Sequence, residues 1–159
     1  MSIDGVRAYL QRWGRDTDII EMNVSTATVA EAAAALGVIP ARIAKSISLK
    51  NGDAAMVVVT AGDMKLDNRK YKDHFGVKAK MLSPEEALAF TGHAVGGVCP
   101  FMLPPEVAVY LDVSMQRFKT VYPACGSANS AIELTMDELH EYSQSRGWVD
   151  VCKPVEVTE

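Results

Sequence analysis

Apolar residues recur along this chain with two different periods, and the switches between them mark its elements. Ile3, Val6, Leu10 and Trp13 stand at helical spacing and Gly14 stops the run, which predicts a helix over 3–13. A short strand fits 18–22. Val29, Ala32, Ala33 and Leu36 form the buried stripe of a second helix, with Ser25 or Thr26 as its cap and Gly37 at its end. Residues 43–49 alternate as a half-buried strand does. An Asn51-Gly52 hairpin signal and the continuous apolar run 55–60, typical of a central strand, follow. A basic helix is expected over 66–75, closed by Gly76, and Ser83-Pro84-Glu85-Glu86 opens another with a capping pattern.

Beyond residue 90 the pattern breaks. Residues 91–105 hold three glycines and three prolines and suit neither regular element. Strands are expected at 107–113, 120–122 and 131–134, a helix capped by Thr135 follows the last, and 148–151 suits an edge strand. Strands and helices without a strict βαβ rhythm predict an α+β fold with a mixed, strongly curved, barrel-like sheet and flanking helices. Neither a repeat nor a linker is visible, so 1–159 reads as a single domain.

One residue violates the pattern. In 43–49, Ile43, Ile47 and Leu49 share a face, and Lys45 belongs to that apolar row. An ammonium directed inward is costly unless an anion meets it or the stem carries it to water. A cleft that receives a phosphate or carboxylate accounts for Lys45, and so does a strand-edge lysine whose head reaches solvent.

Composition narrows the setting. The chain is 48% hydrophobic and 23% charged, ordinary for a globular protein, and no apolar run approaches the roughly 20 residues of a membrane span. Three cysteines at wide spacing argue against a disulfide framework, and the N-terminus lacks a secretory pattern, so a cytoplasmic location is expected. The net charge of −4 excludes a general nucleic-acid coat. Between 65 and 80, however, six basic residues face only Asp67 and Asp73. Such a patch either touches a phosphate backbone locally or is simply a solvated helix face.

Among candidate groups, Gly92-His93-Ala94-Val95-Gly96-Gly97-Val98-Cys99-Pro100-Phe101 stands out. Adjacent glycines let backbone N–H groups approach a ligand, and Pro100 stiffens the loop, an arrangement suited to a carbonyl oxygen or developing oxyanion. A tight structural connection accounts for it equally. No phosphate-binding P-loop, dinucleotide fingerprint, zinc spacing or GxSxG elbow occurs. Cys99 with His93 as base is a candidate nucleophile pair, against which a buried, inert cysteine is the simpler reading. Gly126, Ser127 and Asn129 form a polar turn with donors and acceptors for hydroxyls or an amine, although turns are commonly built from such residues.

Taken in order, these segments resemble the YbaK/ProX family of trans-editing aminoacyl-tRNA deacylases, whose domain is also inserted in many bacterial prolyl-tRNA synthetases. The resemblance runs over about residues 5–145. It is carried by Ser25-Thr26 with 30–37, Ile43-Ala44-Lys45-Ser46, Gly62-Asp63 with Leu66-Asp67, the loop 91–101, and Gly126-Ser127 through Asp137-Glu138-Leu139. It implies a bent mixed sheet and hydrolysis of the ester joining a small wrong amino acid to a tRNA for proline or a similar one. It implies that Lys45 is the functional lysine and that backbone groups of Gly96, Gly97, Val98 and Cys99 position the carbonyl. Ser46, His93, Pro100, Gly126, Ser127 and Asn129 would border the substrate. No metal or other cofactor is implied. The expected partners are an aminoacyl-tRNA acceptor end and a synthetase, with no membrane and no DNA. A noncatalytic module that senses an amino acid or a charged tRNA end would share this fold. Relatives often carry glycine after Pro-Phe, where this chain has Met102, and they vary at the position before the proline, so Cys99 is not expected to be an obligatory nucleophile.

Overall fold

A computed structural model describes residues 2–94 and 96–155, so Val95 of the glycine-rich loop lies outside the described residues. Helix α1 (Ser2–Leu10) continues as a 3-10 turn over Gln11–Trp13 and stops at Gly14 in the left-handed conformation, φ 69°. Strand β1 (Ile20–Glu21) leads to α2 (Val29–Leu36), whose cap is Thr28, not Ser25 or Thr26. Thr28 and Glu31 form a reciprocal capping box. The helix begins only at Val29, so Thr26 stands too far upstream to cap it, and its N–H donates to Ala128 O instead.

Strands β2 (Ile43–Asn51), β3 (Ala54–Ala61) and β4 (Met64–Leu66) precede α3 (Asn68–Phe75), capped by Asp67, and α4 (Pro84–Thr91), capped by Ser83 and Glu86. Then come β5 (Ala108–Asp112), β6 (Thr120–Pro123), β7 (Ser130–Ala131), β8 (Leu134–Thr135), α5 (Met136–Ser143), β9 (Trp148–Val149) and β10 (Cys152–Pro154). The single strand expected over 131–134 is two short ones: β7 pairs with β1 and β8 with β6.

The fold is mixed α+β, as the pattern predicts. Six strands form a strongly curled sheet in the order β8-β6-β2-β3-β5-β9. β2 and β3 are antiparallel, while β2–β6, β3–β5 and β5–β9 are parallel. β3 is buried along nearly its whole length, which explains its unbroken apolar sequence. One face of the sheet (Ala44, Val57, Val59, Leu111) packs with Val6 and Leu10 of α1, Ala87 of α4 and Leu139 of α5. The other (Ile47, Leu49, Met56, Val58) packs with Tyr71 of α3 and with Val151 and Cys152. Among the described residues no helix is long and apolar enough to cross a membrane.

Candidate active site

The site begins as a break in a ladder. On one edge β2 is paired with β3 from Ala44 to Asn51. On the other edge β6 registers only with Ile43 and Ala44, and the next bridge is Leu49 to Met81. Beyond the gap, Lys50 N–H donates to Lys80 O at 2.8 Å and Ser48 O accepts from Leu82 N–H at 3.2 Å. Backbone groups alternate along a strand. Those of Ser46, in phase with Ser48 and Lys50, therefore point into the gap.

A cavity of about 410 Å³ fills this opening, within the range of small-molecule sites. One wall is the entry to α2, Thr26–Val29 with Ala32, and the floor is β2 from Ile43 to Ser48. Met81, Leu82, Pro84 and Ala87 form the opposite wall. Gly96 and Val98 of the glycine-rich loop close it together with Tyr122, Ala124, Ser130 and Ala131. Lys45, Ser46, Gly96 and Val98, all singled out by sequence, thus border one space.

Lys45 and Ser46 send their side chains to opposite faces of β2. Lys45 is in register with Thr60 and shares its face with Ile47, whereas Ser46 lies opposite Val59. The half-buried Lys45 ammonium donates to Met64 O at 2.6 Å and forms no ion pair among the described residues. Burial pulls its pKa below the ordinary 10.5, opposed by the negative charge of Asp63. Asp63 is itself claimed by Arg117, which grips it through two nitrogens at 2.7 and 3.0 Å and holds its carboxyl below the usual range. The inward lysine is therefore met by a carbonyl, a neutral partner.

The loop owes its shape to close packing. Gly96 adopts φ 91°, and a Cβ there would stand 3.2 Å from that of Ala27. A Cβ on Gly97 would come within 3.0 Å of Ser127 N and Cα. The Gly97 N–H already donates to Ala94 O at 2.9 Å, so this group is engaged within the loop. Gly126, Ser127 and Asn129 do not line the cavity; they brace it from behind. Ser127 Oγ donates to Asn129 Oδ1 at 2.9 Å and lies 2.7 Å from Ser130 Oγ, and Asn129 Nδ2 donates to Met22 O at 3.0 Å.

His93, Cys99 and Pro100 are buried beneath the loop, outside the lining. Cys99 Sγ lies 3.5 Å from His93 Nε2, but that nitrogen is 2.9 Å from Phe101 O, an acceptor only. The Nε2 proton therefore belongs to this bond, and Nε2 has no lone pair with which to take the thiol proton. Burial pushes Cys99 up to about 12 and lowers His93. A protonated, enclosed thiol is no nucleophile. Met102 has φ 55°, the left-handed region that favours glycine, so the loop exit keeps the backbone shape expected of a glycine at this position.

Two features lay beyond sequence reasoning. The ladder gap depends on which strands become neighbours. Thr26 enters the wall only because its segment pairs with the 128–130 turn. Among the described residues, its Oγ1 and the Ser46 Oγ are buried without a hydrogen-bond partner.

A family model described as an aminoacyl-tRNA editing domain matches residues 23–142. The chain is 54% identical over 154 residues to the uncharacterized Bacillus subtilis protein YwhH, covering 96% of this chain and 98% of that protein. It is 28% identical over 121 residues to Enterococcus faecalis EbsC, for which a Cys-tRNA(Pro)/Cys-tRNA(Cys) deacylase activity is proposed, covering 75% of this chain and 72% of that one. It matches Bacillus pumilus proline–tRNA ligase at 31% identity over 65% of this chain, and it spans only 18% of that enzyme. A crystal structure described as a proposed trans-editing enzyme for prolyl tRNA synthetase superposes with a TM-score of 0.85, 27% identity, and coverage of 96% of this chain and 97% of that one.

Proposed function

The chain belongs to the aminoacyl-tRNA editing domain family, and from that premise we propose that it is a trans-acting deacylase which hydrolyses the ester of a mischarged tRNA. The observation that carries this reading is the cavity at the break in β2, bordered at once by Lys45, Ser46 and the glycine-rich loop. The tRNA for proline, or one like it, bearing a small wrong amino acid, is the substrate we favour, given the similarity to prolyl-tRNA ligases and to EbsC.

In this reading the aminoacyl end enters the gap and takes up the backbone groups of Ser46, whose carbonyl suits the α-ammonium. Lys45 supplies the cation beside the cavity for the terminal phosphate. Among the described residues the ammonium has only a carbonyl to leave, and no ion pair need be broken. N–H groups of Gly96 and Val98, rather than the engaged Gly97, face the ester oxygen. Water adds to the acyl carbon, the oxyanion collapses, and the proton passes to the departing ribose oxygen, with the neighbouring ribose hydroxyl assisting. No protein nucleophile takes part. Orientation and preorganised donors supply the acceleration. The need for such a sieve is physical: a synthetic site separates amino acids differing by one methylene only about 10–200-fold. The work is cytoplasmic, and docking on a synthetase would bring the mischarged end within reach.

A panel of tRNAs mischarged with alanine, serine, threonine, cysteine and 2-aminobutyrate tests this. Release of amino acid well above the spontaneous rate on at least one of them is expected. Tight binding of a charged end with no release from any would instead identify a sensor.

A further inference from the structure

Buried side-chain polar atoms in folded proteins nearly always have a partner. Among the described residues three have none: Thr26 Oγ1, Ser46 Oγ and His93 Nδ1. Two of these three belong to residues that line the cavity. Two neighbouring hydroxyls are occupied. Thr28 is committed to its capping box and Ser130 to Ser127. Both hydroxyls among these exceptions thus belong to residues of the wall where a substrate would lie, whereas His93 Nδ1 lies beneath the loop.

Both residues sit on fixed backbone. Thr26 N–H donates to Ala128 O at 2.5 Å, and Ser46 is locked opposite Val59. Each hydroxyl turns about a single bond, so each can be offered to a ligand without moving the main chain. The surrounding lining is mainly alanine and other apolar side chains, and among the described residues no carboxylate lines the cavity. A cationic amino acid would find no counter-charge there. A purely aliphatic one would seal two hydroxyls away from any partner, and such groups are expensive to leave unmade.

We propose that Thr26 and Ser46 read the side chain of the acyl group, and that the cavity selects a small hydroxyl-bearing amino acid of the serine or threonine kind. The inference rests on the deacylase reading for its substrate and adds the side-chain class. A hydroxyl donates and accepts, so one such group satisfies both wall residues. A thiol is a weak donor and acceptor and serves less well. Sites that pair a substrate hydroxyl reject the analogue lacking it far more strongly than apolar pockets reject a methylene.

The test compares matched esters on one tRNA: seryl against alanyl and cysteinyl, and threonyl against 2-aminobutyryl. The wild-type protein is expected to show kcat/KM at least about tenfold higher for each hydroxylated member. Thr26→Val and Ser46→Ala together should bring the seryl-to-alanyl ratio near one, chiefly through loss on the seryl ester. Because each removes an unpaired hydroxyl, neither should lower the melting temperature, which separates lost recognition from lost folding. Wild-type preference for alanyl or cysteinyl over seryl ester, or a ratio that survives both substitutions, overturns the inference. Calorimetry with 3′-amide analogues of seryl- and alanyl-adenosine reads the same preference without turnover. A preference in binding with no hydrolysis of any ester sinks the deacylase reading alone, and hydrolysis without preference sinks the side-chain assignment alone.

Discussion

Lys45 was legible in the sequence as an anomaly, because period-two alternation places it in a row of isoleucines. Its partner was not. Met64 O reaches it only through the turn from β3 into β4, and β4 is three residues long and held by β10. Burial of an ammonium against one carbonyl is costly to the fold. Replacing it with methionine, similar in length and apolar, should raise the melting temperature at neutral pH by about 2–4 °C, the shift of a 1 kcal/mol gain in a domain of this size. The sign with pH follows from the lowered pKa. The unfolded chain binds the proton more tightly, so wild-type stability rises with pH through the window just below 10.5, and the gap between wild type and Lys45→Met narrows there. Paired thermal melts at neutral and alkaline pH measure it; a gap that widens with pH contradicts this account of Lys45. Cys99 stands six residues from His93, and the buried, inert cysteine preferred from the sequence is the reading that its enclosure and the contact of His93 Nε2 with Phe101 O support. It should resist iodoacetamide in the native protein and react after denaturation, and mass spectrometry of the labelled peptide decides between them.

Helix ends were the most legible elements, since capping side chains and left-handed glycines act locally. Gly14, Gly37, Gly76 and Gly92 all terminate helices in that conformation. The cap of α2 was misplaced by two or three residues: Thr28, with Glu31 three residues on, carries the capping-box pattern that Ser25 and Thr26 lack. The two- and three-residue strands β4, β7, β8 and β10 are too short for a period to declare itself. The gap in the β2 ladder is invisible for a deeper reason: it is a property of neighbours far apart in sequence. The glycine-rich loop, by contrast, was recognisable, and its constraint is sharpest at Gly97. Gly97→Ala places a methyl 3.0 Å from Ser127 backbone atoms, which cannot yield as a side-chain tip would. We expect a loss of about 1–3 kcal/mol in stability by urea unfolding. Deacylation should fall at least about tenfold as Gly96 and Val98 shift. Unchanged activity would show that the loop does not position the ester.

At the scale of the molecule, composition gave a globular chain, and the mixed pattern with the family resemblance gave α+β with a curved sheet, while the site's position in that sheet required the strand order. The net charge of −4 coexists with the basic stretch 65–80, much of which is carried on α3. Not all of it is free: Lys70 donates to Asp150 Oδ1 and to Cys152 O, both at 3.1 Å. Lys72 and Lys78 are exposed. If this face carries the tRNA backbone, reversing Lys72 and Lys78 to glutamate should weaken tRNA binding and flatten its dependence on salt by about two charges' worth of slope. Titrations at several ionic strengths would show it, and identical slopes would assign those lysines to solvation alone.

We propose an ester bound in the β2 gap and cleaved with help from Lys45 and loop main chain, without a protein nucleophile. The most direct measurement is single-turnover release of amino acid from mischarged tRNA by the wild type, Lys45→Ala and Cys99→Ser. Lys45→Ala should remain folded and lose activity by at least about 100-fold, and Cys99→Ser should keep most of it. Full activity in Lys45→Ala with loss in Cys99→Ser would contradict the proposal.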